Sequence, residues 1–312
     1  MNKKKYLLFS LLFSAFWGSL LFTGCNKDDS SEQKAKEKQL LQEYVSKNYP
    51  NATPQKDGLY FILDSAKTTL DAKPDSGDFV LVEFTGKVLS TGKTILTTDS
   101  AVAQQNGLYN SEIVYGNSKF QLSPYNFLYG VYEGIKLMKE GQTATLLIPS
   151  DLALGEYEYT NVPKYSTLIY TVHLVKIIHD PVAYERQQIN NFLKSTPLTP
   201  ADSTNSGLYY YKKVQSSGSV IKNGDVISVS YVGKYLDGRT FLCDTATNVK
   251  LTASTVLNSG FDEGLRCMKK GEESVFIVPY YLGFYGGTAP YALTYYVTIP
   301  AYTTLLYDVK VN

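Results

Sequence analysis

The chain has 312 residues, 44% of them hydrophobic, which suggests about two domains with ordinary cores rather than wholesale disorder. Net charge is +1 with acids and bases mixed along the chain, which argues against a nucleic-acid binder carrying a basic patch. Two histidines, His173 and His179, and three cysteines are too few for a multi-histidine metal site or a histidine-based triad in each domain, and no cofactor is implied.

Lys3-Lys4-Lys5 precedes an apolar run from Tyr6 to Phe22, the charged and hydrophobic regions of a secretory signal. The run ends Leu21-Phe22-Thr23-Gly24-Cys25, which resembles a bacterial lipobox, with Phe22 where leucine is commoner. That resemblance implies a lipoprotein signal peptide over 1–25 and lipidation at Cys25. An uncleaved membrane anchor is the alternative, because the run is close to the minimum spanning length. Asn26-Lys27-Asp28-Asp29-Ser30-Ser31 follows and resembles the surface-export signal of Bacteroidetes lipoproteins. Together the two resemblances imply a place in the cell envelope, lipid-anchored to the outer membrane through Cys25 and surface-exposed. Acyl chains there would contribute about 0.8 kcal/mol per buried methylene.

Residues 26–57 read as a tether and an N-terminal helix. Ser30 and Ser31 can cap a helix from about Glu32 to Asn48, with Leu40, Leu41, Tyr44 and Val45 on one face and Pro50 beyond its end. Its first half, Gln33 to Gln39, is nearly all polar and is expected to fray into the tether. Gly58-Leu59-Tyr60-Phe61-Ile62-Leu63 opens a first domain over 58–179. Asp180-Pro181 then supplies an N-cap and a first-turn proline for a linker helix within 180–206, with Ile189, Phe192 and Leu193 on one face. Gly207-Leu208-Tyr209-Tyr210-Tyr211 opens a second domain over 207–312.

These parallels belong to a repeat. Gly130-Val131-Tyr132-Glu133-Gly134 and Gly260-Phe261-Asp262-Glu263-Gly264 each open a short amphipathic helix, and each is followed by an apolar strand ending in proline, Pro149 or Pro279. Gly92 pairs with Gly238 at an offset of 146, and Gly130 with Gly260 at 130, so the first copy carries 16 extra residues, roughly Ala101 to Gly116. Val162-Pro163 pairs with Ile299-Pro300 at 137, which gives the second copy a loop 7 residues longer. Asp225 to Tyr235 alternates as a half-buried strand, and the 27 tyrosines favour strands. Each copy therefore reads as strand, strand, strand, short helix, strand, loop, strand. The fold class is α+β: a bent antiparallel sheet wrapped on one helix, with the other sheet face left to solvent.

In the second copy Tyr231-Val-Gly-Lys-Tyr-Leu-Asp-Gly-Arg-Thr-Phe241, Gly260-Phe-Asp-Glu-Gly-Leu265, Lys270-Gly-Glu272, Val278-Pro279, Phe284-Tyr-Gly286 and Ile299-Pro-Ala-Tyr-Thr-Thr-Leu305 resemble FKBP-type peptidyl-prolyl isomerases. The first copy matches more weakly, through Phe84-Thr-Gly-Lys, Gly130-Val-Tyr-Glu-Gly134, Ile148-Pro149 and Val162-Pro-Lys-Tyr-Ser-Thr-Leu168. The resemblance implies two FKBP-like domains, each preceded by an amphipathic helix, acting on X-Pro bonds of proline-containing polypeptides. Rotation about such a bond faces a barrier of about 18–20 kcal/mol, and an apolar cup that strips water from the amide lowers it without nucleophile or metal.

Carried onto this sequence, the family's pocket falls on Tyr231, Phe241, Phe261, Ile299 and Tyr307, with Leu257 on the strand leading into the helix. Tyr285 stands at the carbonyl-binding tyrosine, and Asn258 at a position whose backbone N–H meets substrate. Phe261 replaces the usual tryptophan. Leu242 replaces the aspartate that follows the phenylalanine, and Asp244, two residues on and on the same strand face, is either its substitute or a turn residue. The first domain departs further, with Phe84, Ile95, Val131 and Leu154 at the corresponding places, and is expected to be inactive. Cys267 reads as a small buried hydrophobe, while a disulfide to Cys243 stays open. Against the enzyme stands a non-catalytic peptide-binding or chaperone module using the tyrosine-rich stretch from Tyr291 to Ile299.

Overall fold

The computed structural model describes residues 29–65, 71–111, 113–198, 202–251, 257–285 and 299–312. Helix α1 (Asp29–Asn48) leads into β1 (Tyr60–Ser65), β2 (Phe79–Val88), β3 (Thr94–Thr97), α2 (Ser100–Gln105), β4 (Ser118–Gln121), α3 (Tyr129–Leu137), β5 (Thr143–Ile148) and β6 (Leu168–Ile178). Helix α4 (Pro181–Lys194) leads into β7 (Asp202–Ser203), β8 (Tyr209–Val214), β9 (Val226–Tyr235), β10 (Thr240–Lys250), α5 (Ser259–Arg266), β11 (Glu273–Val278) and β12 (Leu305–Val311). The sheets run β1-β5-β6-β2-β3, with β4 also on β2, and β10-β9-β12-β11-β8-β7. All their pairings are antiparallel, and apart from the two-residue β7 the two orders correspond.

The extra residues of the first copy interrupt a strand. In the second copy β10 runs unbroken along β9, whereas in the first the same span is divided into β3 and β4, both on β2. The intervening segment holds α2, started by Asp99, whose carboxylate accepts from the N–H groups of Ala101 at 2.7 Å and Val102 at 3.0 Å.

On the inner face of each sheet a short helix lies almost in contact with the strand that follows it. At Gly134 a Cβ would sit 2.4 Å from Leu146 Cδ1, and at Gly264 a Cβ would sit 2.5 Å from the Phe276 ring. Glycine is what permits that approach, and this is why the two glycines recur in register.

The outer faces are not left to solvent. Leu41 and Val45 of α1 bury against Leu147 on the first sheet, and Ile189 and Leu193 of α4 bury against Ile277 on the second. The reason lies in β5 and β11, which are nearly continuous apolar runs buried along both faces, as central strands covered on two sides are. Nor does the polar half of α1 fray. Glu37 accepts from Ser150 N and Oγ, both at 2.6 Å, and from Thr167 Oγ1 at 2.9 Å, which ties that half down.

Helix α4 uses the same device on the second sheet. Buried Glu185 accepts from Tyr280 N at 3.2 Å and from Thr304 Oγ1, the residues equivalent to Ser150 and Thr167. It takes one further partner, Lys119 of β4, at 3.1 Å, and the Lys119 ammonium lies 4.9 Å from the Tyr280 ring centroid. Phe79 meets Tyr302 edge-on at 4.7 Å. The described residues of the two copies thus meet through a buried ion pair and an aromatic cluster in which Phe79 faces both Tyr302 and Tyr280. Among the described residues, no helix is long and apolar enough to cross a membrane.

Candidate active site

Strand β9 alternates as its sequence requires: Ile227, Val229 and Tyr231 point inward and are buried. Tyr231 meets Phe261 at 5.0 Å between ring centroids, Phe261 meets Tyr307 at 5.1 Å, and Tyr307 meets Phe241 at 5.9 Å, all edge-on. Each such pair contributes about 0.5–1.5 kcal/mol beyond its buried area. The rings are close because Gly233 lies between them: a Cβ there would fall 2.6 Å from Phe241 Cζ. The register of β10 against β9 shifts between Thr240 and Leu242, and this bulge lets the adjacent Phe241 and Leu242 both turn inward. Ile299 is buried in the same cluster, and Leu257 is packed against it. Leu257 lies in a bend before α5 rather than on a strand, because β10 ends at Lys250.

Asp244 sits directly across from Tyr231 on the neighbouring strand, and the Tyr231 hydroxyl donates to its Oδ2 at 3.4 Å. Burial first, and the Asp244 carboxylate second, hold the Tyr231 hydroxyl far above the usual phenol range. Leu242 lies across from Gly233 on the same inner face, so the acid reaches the cluster two residues later than the resemblance places it.

Asn258 contributes more than a backbone N–H. It is the N-cap of α5, with its Oδ1 accepting from Phe261 N at 2.9 Å and its Nδ2 donating to the Tyr307 hydroxyl at 2.8 Å. Sequence reasoning missed the side chain, although Asn ahead of a short helix is a strong capping signal. Burial raises the Tyr307 hydroxyl well above its ordinary value, the Asn258 contact offsetting part of that.

Tyr285 is set apart from these rings. It is half exposed, and its ring packs against Tyr302 at 5.2 Å and Tyr280 at 5.9 Å, beside the contact between the two copies. Residues 286–298, with most of the tyrosine-rich stretch, and Cys25 lie outside the described residues. Cys243 is exposed and Cys267 half-buried, and both are free thiols. Cys267 is thus less enclosed than expected, with burial raising its pKa. Among the described residues no three His, Cys, Asp or Glu side chains gather as a metal site.

In the first copy the equivalent places hold different chemistry. Phe84 stands 6.3 Å from Phe120 and 6.3 Å from Tyr170, and Phe120 stands 4.9 Å from Phe127. Val131 is buried in that core, with Ile95 and Leu154 packed against it. The N-cap of α3 is Leu128, which makes no side-chain cap bond.

The profile of the family described as FKBP-type peptidyl-prolyl cis-trans isomerase matches residues 71–175 and 218–312. The chain belongs to this family. A Haemophilus influenzae protein named "Probable FKBP-type peptidyl-prolyl cis-trans isomerase" is 33% identical over 111 residues, 35% of this chain and 43% of that protein. The FKBP-type peptidyl-prolyl cis-trans isomerase FkpA of Buchnera aphidicola is 32% identical over 113 residues, 35% of this chain and 41% of that one. The chain therefore spans less than half the length of either relative. The crystal structure of FkpA from Escherichia coli aligns at 22% identity with a TM-score of 0.38, covering 48% of this chain and 62% of that one.

Proposed function

We propose that the second copy of this isomerase-family chain carries the working peptidyl-prolyl isomerase site and that the first is a non-catalytic partner domain. The observation that carries this reading is the ring cluster Tyr231–Phe261–Tyr307–Phe241 joined to the Tyr231–Asp244 hydrogen bond. A proline seated among these rings loses its water, and the amide before it loses the solvent hydrogen bonds that stabilise the planar form. Tyr231 and Asp244 supply a polar edge to the cup. The first copy has phenylalanine where Tyr231 stands and leucine where Asn258 stands, which supports its assignment as inactive.

The substrates under this reading are proline-containing polypeptides of the cell envelope, with the chain held to the outer membrane by lipid on Cys25 and facing outward. The lipobox and the acidic tract after it support that address. Palmitate labelling of the whole chain tests it, since a Cys25→Ala chain should take up no label.

A second reading, peptide binding without turnover, is favoured by a groove of about 440 Å³ between the copies, lined by Val114, Phe120, Tyr235 and Pro300 among others. The buried Tyr235 hydroxyl on its wall has no hydrogen-bond partner among the described residues. Isomerisation kinetics on a proline tetrapeptide separate the two readings. Acceleration by the whole chain that is lost in Phe261→Ala supports the enzyme, whereas tetrapeptide binding with no acceleration supports the second.

A further inference from the structure

The direction of one hydrogen bond at the cup fixes where a buried proton points. Asn258 Oδ1 is occupied by the N–H of Phe261, so the other end of its amide, the NH2 group, faces Tyr307. An NH2 group can only donate, so the Tyr307 hydroxyl is the acceptor at 2.8 Å. Its own proton is then turned away from Asn258. Tyr307 is fully buried, and among the described residues no group accepts that proton. The rings packed on Tyr307 are Phe261 and Phe241, which have no hydrogen-bonding atoms, and the neighbouring Tyr231 hydroxyl is turned to Asp244.

We propose that Tyr307 is the hydrogen-bond donor to the substrate inside the cup, with Asn258 as the positioning residue that keeps its proton free for this use. The recipient is the carbonyl of the residue before proline, the acceptor that a prolyl peptide brings into an apolar cavity. A buried donor without an acceptor is unfavourable in the free protein, and a carbonyl that satisfies it is bound in a defined orientation. Phe261 lacks the N–H that a tryptophan would bring to the floor, and the Tyr307 hydroxyl restores a donor one ring away. This inference rests on the isomerase reading of the second copy.

The test uses the whole chain, a proline tetrapeptide, and the variants Tyr307→Phe, Asn258→Asp and the double variant. Asp at 258 keeps an oxygen to cap α5, but its second oxygen accepts from Tyr307 and captures the proton. Both single variants should lower kcat/KM by about three- to tenfold, and the double variant should fall no further than Tyr307→Phe alone, as coupled residues do. Urea midpoints of all variants report whether α5 stays capped. If Asn258→Asp folds and retains full activity, or if the double variant loses the product of the two single losses, the proposal is overturned while the isomerase reading stands. If the unaltered chain gives no acceleration, both fall together.

Discussion

Replacing Glu185 by alanine probes the junction on which the two copies and α4 converge. The side chain is 2% exposed, and Lys119, its partner, is 14% exposed, so solvent screens neither. Alanine leaves the Lys119 ammonium buried without its carboxylate and removes the acceptor of Tyr280 N and Thr304 Oγ1. Breaking a buried pair from one side costs about 3–5 kcal/mol, and the orphaned donors lie within that figure rather than adding to it. The loss should fall mainly on the second copy, because two of the three partners belong to it. Urea unfolding of the whole chain, followed by tyrosine fluorescence, should show an early transition separating from the remainder. Adding Lys119→Met to a Glu185→Gln chain removes both charges and should recover much of the loss. A Glu185→Ala chain within about 1 kcal/mol of the parent, a magnitude typical of a surface pair, would refute the claim that this carboxylate holds the junction.

The equivalent residue of the first copy sets a comparison. Glu37→Ala should cost about 1.5–3 kcal/mol, the worth of hydrogen bonds to a charged group, and less than Glu185→Ala because no buried cation is left behind; urea midpoints rank the two. Gly264→Ala gains about 1 kcal/mol of helix propensity. It also drives a methyl into the fully buried Phe276 ring, so the chain should be destabilised by a net amount on the order of 1 kcal/mol, which thermal unfolding checks. Burial pushes the Tyr170 hydroxyl up to about 12, so the folded state keeps a proton that the unfolded state has released. The stability this represents is fully present below pH 10 and is lost as pH rises towards 12, by roughly 2–3 kcal/mol. In Tyr170→Phe that part of the alkaline decline should vanish from denaturation curves taken between pH 9 and 11.

What the sequence displayed was periodicity and register. The alternation of β9, the paired glycines of α3 and α5, and the changing offsets between copies are local patterns that marked the strands and the short helices; the offsets read as a loop insertion, whereas the extra residues of the first copy divide a strand and carry α2. The docking of α1 and α4 was harder to see because it depends on single carboxylates, Glu37 and Glu185, whose partners lie at least 66 residues away in the chain. One local signal was present: the nearly continuous apolar runs of β5 and β11 announce strands covered on both faces. At the cup, the aromatic positions were legible because each is a residue type at a motif position. The bulge at Phe241, which sets Asp244 opposite Tyr231, is a matter of strand pairing that no single strand reveals. Asn258 was read through its backbone N–H, and the side chain that caps α5 and reaches Tyr307 was passed over.

The most direct test of the central claim is tetrapeptide isomerisation kinetics with the whole chain beside two variants, Phe261→Ala in the second copy and Val131→Ala at the equivalent place in the first. Acceleration by the parent and by Val131→Ala, abolished in Phe261→Ala, is the result expected. Acceleration that survives Phe261→Ala and disappears in a folded Val131→Ala chain would place the site in the first copy and contradict the assignment.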